Sequence, residues 1–168
     1  MSLEVRLEEI REDELPPVDY RWDRDTEILT ATLRPSGVSE GLSGSVDIQG
    51  PDGAWLMLEV SGGRLASVEV AVWPDVQSVE SLTLPTAAGA VRLRVPSRPS
   101  QPGLAAVEVD TAIRAVADRA EKTIHFRIGL QRPSRSLHVA RDLIVEVDAR
   151  SRLSGLWFLN VPPFPAAS

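Results

Sequence analysis

The segment LIVEVDARSRLSGLWFLNVP, residues 143–162, holds two short apolar runs separated by the turn-forming stretch DARSR. Runs of this length, rich in apolar and β-branched residues, are typical of two β-strands joined by a tight turn. A second segment, LMLEVSGGRLASVEVAVWP at residues 56–74, repeats the order of strand, turn, Arg-Leu, strand and proline. The two segments therefore predict a structural unit that occurs twice in one chain.

The same order of elements extends outward from both segments. WDRDTEILTATL at residues 22–33 is loosely matched by ADRAEKTIHFRI at 117–128. We predict one compact domain over residues 1–168, with related halves at about 18–95 and 104–163 and a Pro/Ser-rich connector at 96–103. The predicted fold class is mainly β, α+β at most: two repeated antiparallel β-meanders, related by a pseudo-two-fold axis, with one or two short helices.

Two stretches allow both helix and strand. Residues 1–15 place Leu3, Leu7 and Ile10 at helical spacing, whereas Leu3, Val5 and Leu7 alternate as in a strand, and we favour a short helix. Residues 110–121 could form one face of a helix or a strand that leads into a turn near Asp118, and the sequence leaves both open.

The second half also resembles a small bacterial domain of unknown function over about residues 116–161, and the first half resembles it more weakly over 18–74. The family pattern reads Tyr-Asp, then Asp-x-Leu-Tyr-Ile, a strand, and Asp-Gly-x-Leu-x-Gly-Ile-Glu. The matching residues are Asp118, residues 123–128, 146–148 and 152–157. The chain departs from the pattern at His125, where the family has Tyr, and at Trp157, where it has Glu; Glu69 retains that Glu in the first half. The family has no established activity, so the resemblance implies a fold and no mechanism.

Composition excludes several classes of function. The chain has no cysteine, so disulfides, thiol catalysis and cysteine metal sites are excluded. The net charge is -6, which argues against a nucleic acid as partner because such binding requires neutralising phosphates. Of 18 basic residues only Lys122 is lysine, a bias that suggests a bacterial genome rich in G and C.

The chain is expected to be cytoplasmic. No apolar run approaches the roughly 20 residues of a membrane span, and the acidic N-terminal stretch does not resemble a signal peptide. We expect no membrane association and no cofactor. Another protein is the expected partner, and self-association stays open.

The two histidines are candidate metal ligands. If IHFRIG and SLHVA form a hairpin with its midpoint near Arg132, then His125 and His138 face each other on the outer side of the sheet. With Asp142 or Glu146 they could bind zinc or nickel, or serve a hydrolase-type enzyme. The simpler interpretation is two solvent-facing histidines without a function.

Four arginines in the same window could bind an anion or a nucleic acid: Arg127, Arg132, Arg135 and Arg141. The alternative is that they are solubilising charges on exposed strands. The sequence contains no known catalytic motif, and we assign no catalytic residue.

The four tryptophans, Trp22, Trp55, Trp73 and Trp157, are expected in the core. If Trp73 and Trp157 lie instead on outer faces, they would mark a binding or dimer surface. Taken together, the sequence favours a non-catalytic binding or protein-interaction module. The alternatives are the metal or enzyme function at His125 and His138 and the anion or nucleic-acid function at the arginines.

Overall fold

A computed structural model describes residues 3–33, 43–95 and 106–165, without the side chains of residues 106 and 107. The described chain is almost entirely β-structure, as predicted. It forms fourteen strands and one 3-10 helix, Glu12–Glu14. The strands are β1 (Arg6–Ile10), β2 (Val18–Trp22), β3 (Leu29–Leu33), β4 (Gly44–Gln49), β5 (Trp55–Ser61), β6 (Arg64–Val72), β7 (Val76–Val79), β8 (Ala87–Arg94), β9 (Ala106–Asp110), β10 (Ile113–Asp118), β11 (Ile124–Ile128), β12 (Ser134–Ala140), β13 (Leu143–Asp148) and β14 (Leu153–Phe158).

All strands belong to one curled, mixed sheet. Its main path runs β7-β10-β11-β14-β13-β12-β8-β6-β5-β4-β9, with β1 beside β8, β3 beside β6 and β2 beside β3. Three pairs are parallel, β10·β7, β12·β8 and β4·β9, and the other pairs are antiparallel. In the described part of the chain no helix is long and apolar enough to cross a bilayer.

The two predicted halves have the same strand pairing. The first half is ordered β2-β3-β6-β5-β4 and the second β10-β11-β14-β13-β12. The register also shifts at the matching place, between Glu59 and Val60 in the first half and between Glu146 and Val147 in the second. A β-bulge adds local twist and is a specific feature of a sheet, so its recurrence means that the halves share more than strand order.

The inward faces of both halves meet in one continuous core. The alternation of side chains along each strand explains this, because every second residue points to the same face. Phe126 on β11 packs against Phe158 on β14 with ring centroids 5.2 Å apart, and both side chains are fully buried. Tyr20 on β2 joins the halves: its hydroxyl donates to the Asp142 carbonyl at 2.7 Å and accepts from the Leu159 amide at 3.1 Å. Burial raises the pKa of Tyr20 above its ordinary value of 10.

Both ambiguous stretches form strands. Residues 6–10, for which we favoured a helix, pair with β8 as β1, and the helical turn follows at Glu12–Glu14. Residues 110–121 contain β10, with Asp118 accepting bonds from the Lys122 and Thr123 amides in the turn that follows. The antiparallel strand pairs predicted within residues 56–74 and 143–162 are confirmed as β5–β6 and β13–β14. The connector predicted at 96–103 lies outside the described residues.

Candidate functional site

The predicted hairpin between the two histidine-bearing strands is wrong. Strands β14 and β13 lie between β11, which carries His125, and β12, which carries His138. Three strand spacings of about 4.8 Å put their backbones about 14 Å apart, which is too far for two imidazoles to share one metal ion. The described residues contain no cluster of three potential metal-ligating side chains.

Each histidine has local partners instead. A ring nitrogen of His138, Nδ1, lies 3.1 Å from the Ala140 carbonyl. On the outer sheet face, His125 stacks on Trp157, with centroids 4.2 Å apart, and its Nε2 contacts the Glu146 carboxylate. Both contacts orient the imidazole, so the second half has a fixed His-Glu-Trp cluster.

The candidate carboxylates have different roles. Glu146 reaches His125 across the intervening strand β14, where the residue opposite Glu146 is Gly155. The Asp142 carboxylate lies in the turn that follows β12 and accepts a hydrogen bond from the side-chain amide of Asn160 at 2.8 Å. Among the described carboxylates, Glu146 is the one that contacts a histidine side chain.

The four candidate arginines do not share one hairpin. Arg127 lies on β11, whereas Arg135 lies on β12, and both Arg135 and Arg141 are exposed. The Arg132 side chain is bound by Asp148 and by three backbone carbonyl groups. Arg132 therefore holds loops together and is not available to an external anion.

The four tryptophans have different packing environments. Trp157 lies on the outer sheet face but is only 7% exposed, because it packs with Ile144, Leu159 and the partly buried Leu82. Trp55 donates to the Asp47 carboxylate at 3.2 Å. Trp22 and Trp73 stack on each other with centroids 5.7 Å apart.

The Trp22–Trp73 stack forms the floor of a surface groove, here called the aromatic groove. It has a volume of about 490 Å³, and its main apolar walls are Val76, Ile124 and Phe164. Phe164 meets the Trp22 ring edge to face at 5.2 Å. Phe164 and Val76 are 41% and 42% exposed, so the groove presents apolar surface to solvent.

Two turns, one from each half, bring carboxylates to this groove. Glu27 lies in the β2–β3 turn and Glu121 in the β10–β11 turn, and both line the groove. Both also have left-handed backbone conformations, with φ of 61° and 57°. A residue with a Cβ atom is disfavoured there, because the Cβ crowds the following carbonyl.

We expect Glu121→Gly to stabilise the protein by about 1 kcal/mol, because glycine adopts this conformation without the steric penalty. Urea unfolding measures the change. The matched control is Glu121→Ala, which removes the same carboxylate but keeps a Cβ, and it should give no such gain. Equal stabilisation by both variants would mean that charge, and not backbone strain, is relieved.

The aromatic groove has no local signal in the sequence, because its side chains come from residues that are far apart in the chain. Trp73 does not lie on an outer face, because it packs against the main core and its ring centroid lies 5.8 Å from that of the buried Phe126. A scan against models of known protein families finds no match for the chain, and a search among curated proteins finds no similar sequence.

Proposed function

We propose that the protein is a non-catalytic interaction module that binds an extended, proline-containing and basic segment of a partner protein in the aromatic groove. The observation that carries this proposal is the exposed apolar surface around the Trp22–Trp73 stack. Exposed apolar patches bounded by polar residues are typical of interaction sites. Grooves lined by aromatic rings suit extended proline-rich segments, which lose little conformational entropy on binding.

Hydrogen bonds orient both tryptophan rings of the groove. The Trp22 indole donates to the Pro162 carbonyl at 2.9 Å, and the Trp73 indole donates to the Glu27 carbonyl at 2.8 Å. Both indole N–H groups are therefore occupied, and the ring faces and edges are what a ligand would contact. A preformed apolar surface reduces the entropy cost of association.

The charge of the groove favours a basic partner. Glu27 and Glu121 line it, and no lysine or arginine of the described residues does. Their strained conformations support a role for the side chains, because glycine would satisfy the backbone at a lower cost.

Phe164→Ala tests the proposal. The probe is a fluorescently labelled ten-residue peptide of prolines interrupted by two arginines, with binding measured by anisotropy. We expect the peptide to bind the native protein, and Phe164→Ala to weaken binding about tenfold, since it removes an exposed ring from the groove wall. Leu84→Ala is the matched control, because Leu84 is 49% exposed and lies outside the groove.

The matched peptide with glutamate in place of arginine tests the charge. It should bind more weakly to the native protein and regain affinity for Glu27→Gln/Glu121→Gln. The proposal fails if the basic peptide does not bind, or if Leu84→Ala and Phe164→Ala weaken binding equally.

We also infer that the two halves arose by duplication of one bacterial unit of the kind that the second half resembles. The shared pairing order and the shared bulge support this inference. The aromatic groove would then combine the equivalent turns of both copies, and a single copy would lack half of its lining.

A further inference from the structure

Two arginines lie directly opposite each other on neighbouring strands of the second half. Arg114 on β10 pairs with Arg127 on β11 in the antiparallel register. Side chains at such positions are within reach of each other, and like charges there are destabilising. Arg114 is exposed to solvent, whereas Arg127 is partly buried.

No carboxylate of the described residues forms an ion pair with either guanidinium. The closest hydrogen-bond acceptor to Arg127 is the neutral Gln131 side chain, 3.4 Å from Nη1. The Nε of Arg127 is shielded from solvent and has no partner within the described chain. Arg127 is thus partly desolvated without the anion that usually accompanies a desolvated guanidinium.

Both guanidiniums line a cleft of about 470 Å³ that is separate from the aromatic groove. Pro51, Pro74 and Val116 contribute apolar walls, and His125 borders the cleft beside Arg127. Two carboxylates, Asp52 and Asp75, also line it. Asp52 is engaged in its own turn, where it accepts from the Ala54 amide at 3.2 Å.

We infer that this arginine cleft binds a small phosphate monoester with a compact apolar body. A phosphate monoester carries close to two negative charges at neutral pH, and its three terminal oxygens can accept hydrogen bonds from both guanidinium groups. The apolar body would lie against Pro51, Pro74 and Val116. This inference does not depend on the proposed peptide function, because the two sites have different linings.

Calorimetric titration with phenyl phosphate tests the arginine cleft. We expect phenyl phosphate to bind, and Arg114→Gln and Arg127→Gln each to weaken it about tenfold or more, since each removes charge-assisted hydrogen bonds. Binding should also weaken as the pH falls below about 6, where the phosphate takes up a proton. Arg135→Gln is the matched control because Arg135 is exposed and lies outside the cleft.

Uncharged benzyl alcohol and the monoanion benzoate separate the contribution of the apolar ring from that of the ligand's charge. Benzyl alcohol should not bind measurably, and benzoate should bind more weakly than phenyl phosphate. Arg114→Gln should keep or raise the melting temperature, because it relieves the like-charge pair, so loss of binding cannot be assigned to unfolding. The inference is overturned if benzyl alcohol binds as well as phenyl phosphate, if benzoate binds as tightly, or if Arg135→Gln weakens binding as much as Arg127→Gln.

Discussion

Arg132→Ala should lower the free energy of unfolding by about 2–4 kcal/mol, the largest loss we expect from a single charged side chain here. The guanidinium makes four bonds at once. Its Nε donates to Asp148 Oδ2 at 2.7 Å, its Nη1 to the Ile128 and Leu130 carbonyls at 3.0 and 2.8 Å, and its Nη2 to the Leu153 carbonyl at 3.1 Å. The side chain thereby ties the β11–β12 connection to the β13–β14 hairpin.

The loss is large because the partners remain after the arginine is removed. The Asp148 side chain is only 9% exposed, so the variant retains a largely buried carboxylate without its cation. Arg132→Lys should lie between the variant and the native protein, since an ammonium group can pair with Asp148 but lacks the planar fork that also reaches the carbonyls. Arg135→Ala, an exposed arginine three residues along, should change stability by less than about 0.5 kcal/mol.

The pH dependence of this effect has a definite sign. Burial opposes ionisation of Asp148, but hydrogen bonds from Arg132 and from the Arg152 and Arg150 amides outweigh it, and the pKa of Asp148 lies below its ordinary value of 3.8. A lowered folded-state pKa adds stability above the unfolded value and loses it as the pH falls through the folded one. Urea unfolding at about pH 7 and about pH 2 should therefore show the difference between Arg132→Ala and the native protein shrinking in acid. An unchanged difference would contradict a role for the Asp148 charge.

The strands could be predicted because their signal is local. Alternation of apolar and polar residues and the turn residues between runs depend on neighbours in sequence, and they identified the β5–β6 and β13–β14 hairpins. The matching order of elements around residues 56–74 and 143–162 likewise anticipated the shared pairing of β2–β6 and β10–β14.

The sites could not be predicted in the same way because they depend on which strands become neighbours. Consecutive strands often pair, and this tendency suggested a hairpin between β11 and β12. In the folded chain β14 returns to pair with β11, which separates His125 from His138 and puts Trp157 beside His125 instead. The aromatic groove likewise depends on contacts between Trp22, Trp73 and Phe164, which no local pattern encodes.

The role of Arg132 also could not be predicted from the sequence. In sequence it is one of several arginines in a polar stretch, and the same pattern is typical of an exposed loop and of a side chain that caps backbone carbonyls. Only the position of Asp148, sixteen residues later in the chain, distinguishes the two.

Gly155→Ala should lower the free energy of unfolding by about 2–3 kcal/mol. A Cβ at this position would overlap Oε1 of Glu146 and would lie 3.0 Å from the Phe126 carbonyl oxygen. Glu146 can rotate away, but it then loses its contact with His125 and leaves both groups partly buried without each other. The expected loss in the free energy of unfolding therefore combines steric overlap with the loss of the Glu146–His125 contact.

A double-mutant cycle separates these two terms. If the overlap with Glu146 dominates, Gly155→Ala should cost at least about 1 kcal/mol less in a Glu146→Ala background than in the native protein. Equal costs in both backgrounds would assign the effect to the Phe126 carbonyl and would contradict the role given to Glu146. Urea unfolding of the four proteins provides the measurement.

The first half supplies a natural control, because Ser67 occupies the place of Gly155 there. Ser67 pairs with Glu59 across the matching bulge, and its hydroxyl donates to the Glu59 carboxylate at 3.0 Å. Ser67→Ala removes that bond to an exposed carboxylate and should cost only about 0.5–1 kcal/mol. In the first half, the Ser67 hydroxyl binds the Glu59 carboxylate on the adjacent strand. In the second half, Gly155 has no side chain, so the Glu146 side chain can extend over β14 and contact His125 on β11. A larger loss for Gly155→Ala than for Ser67→Ala, together with coupling to Glu146 in the double-mutant cycle, would support Gly155 as the position that lets the second half form its His-Glu-Trp cluster.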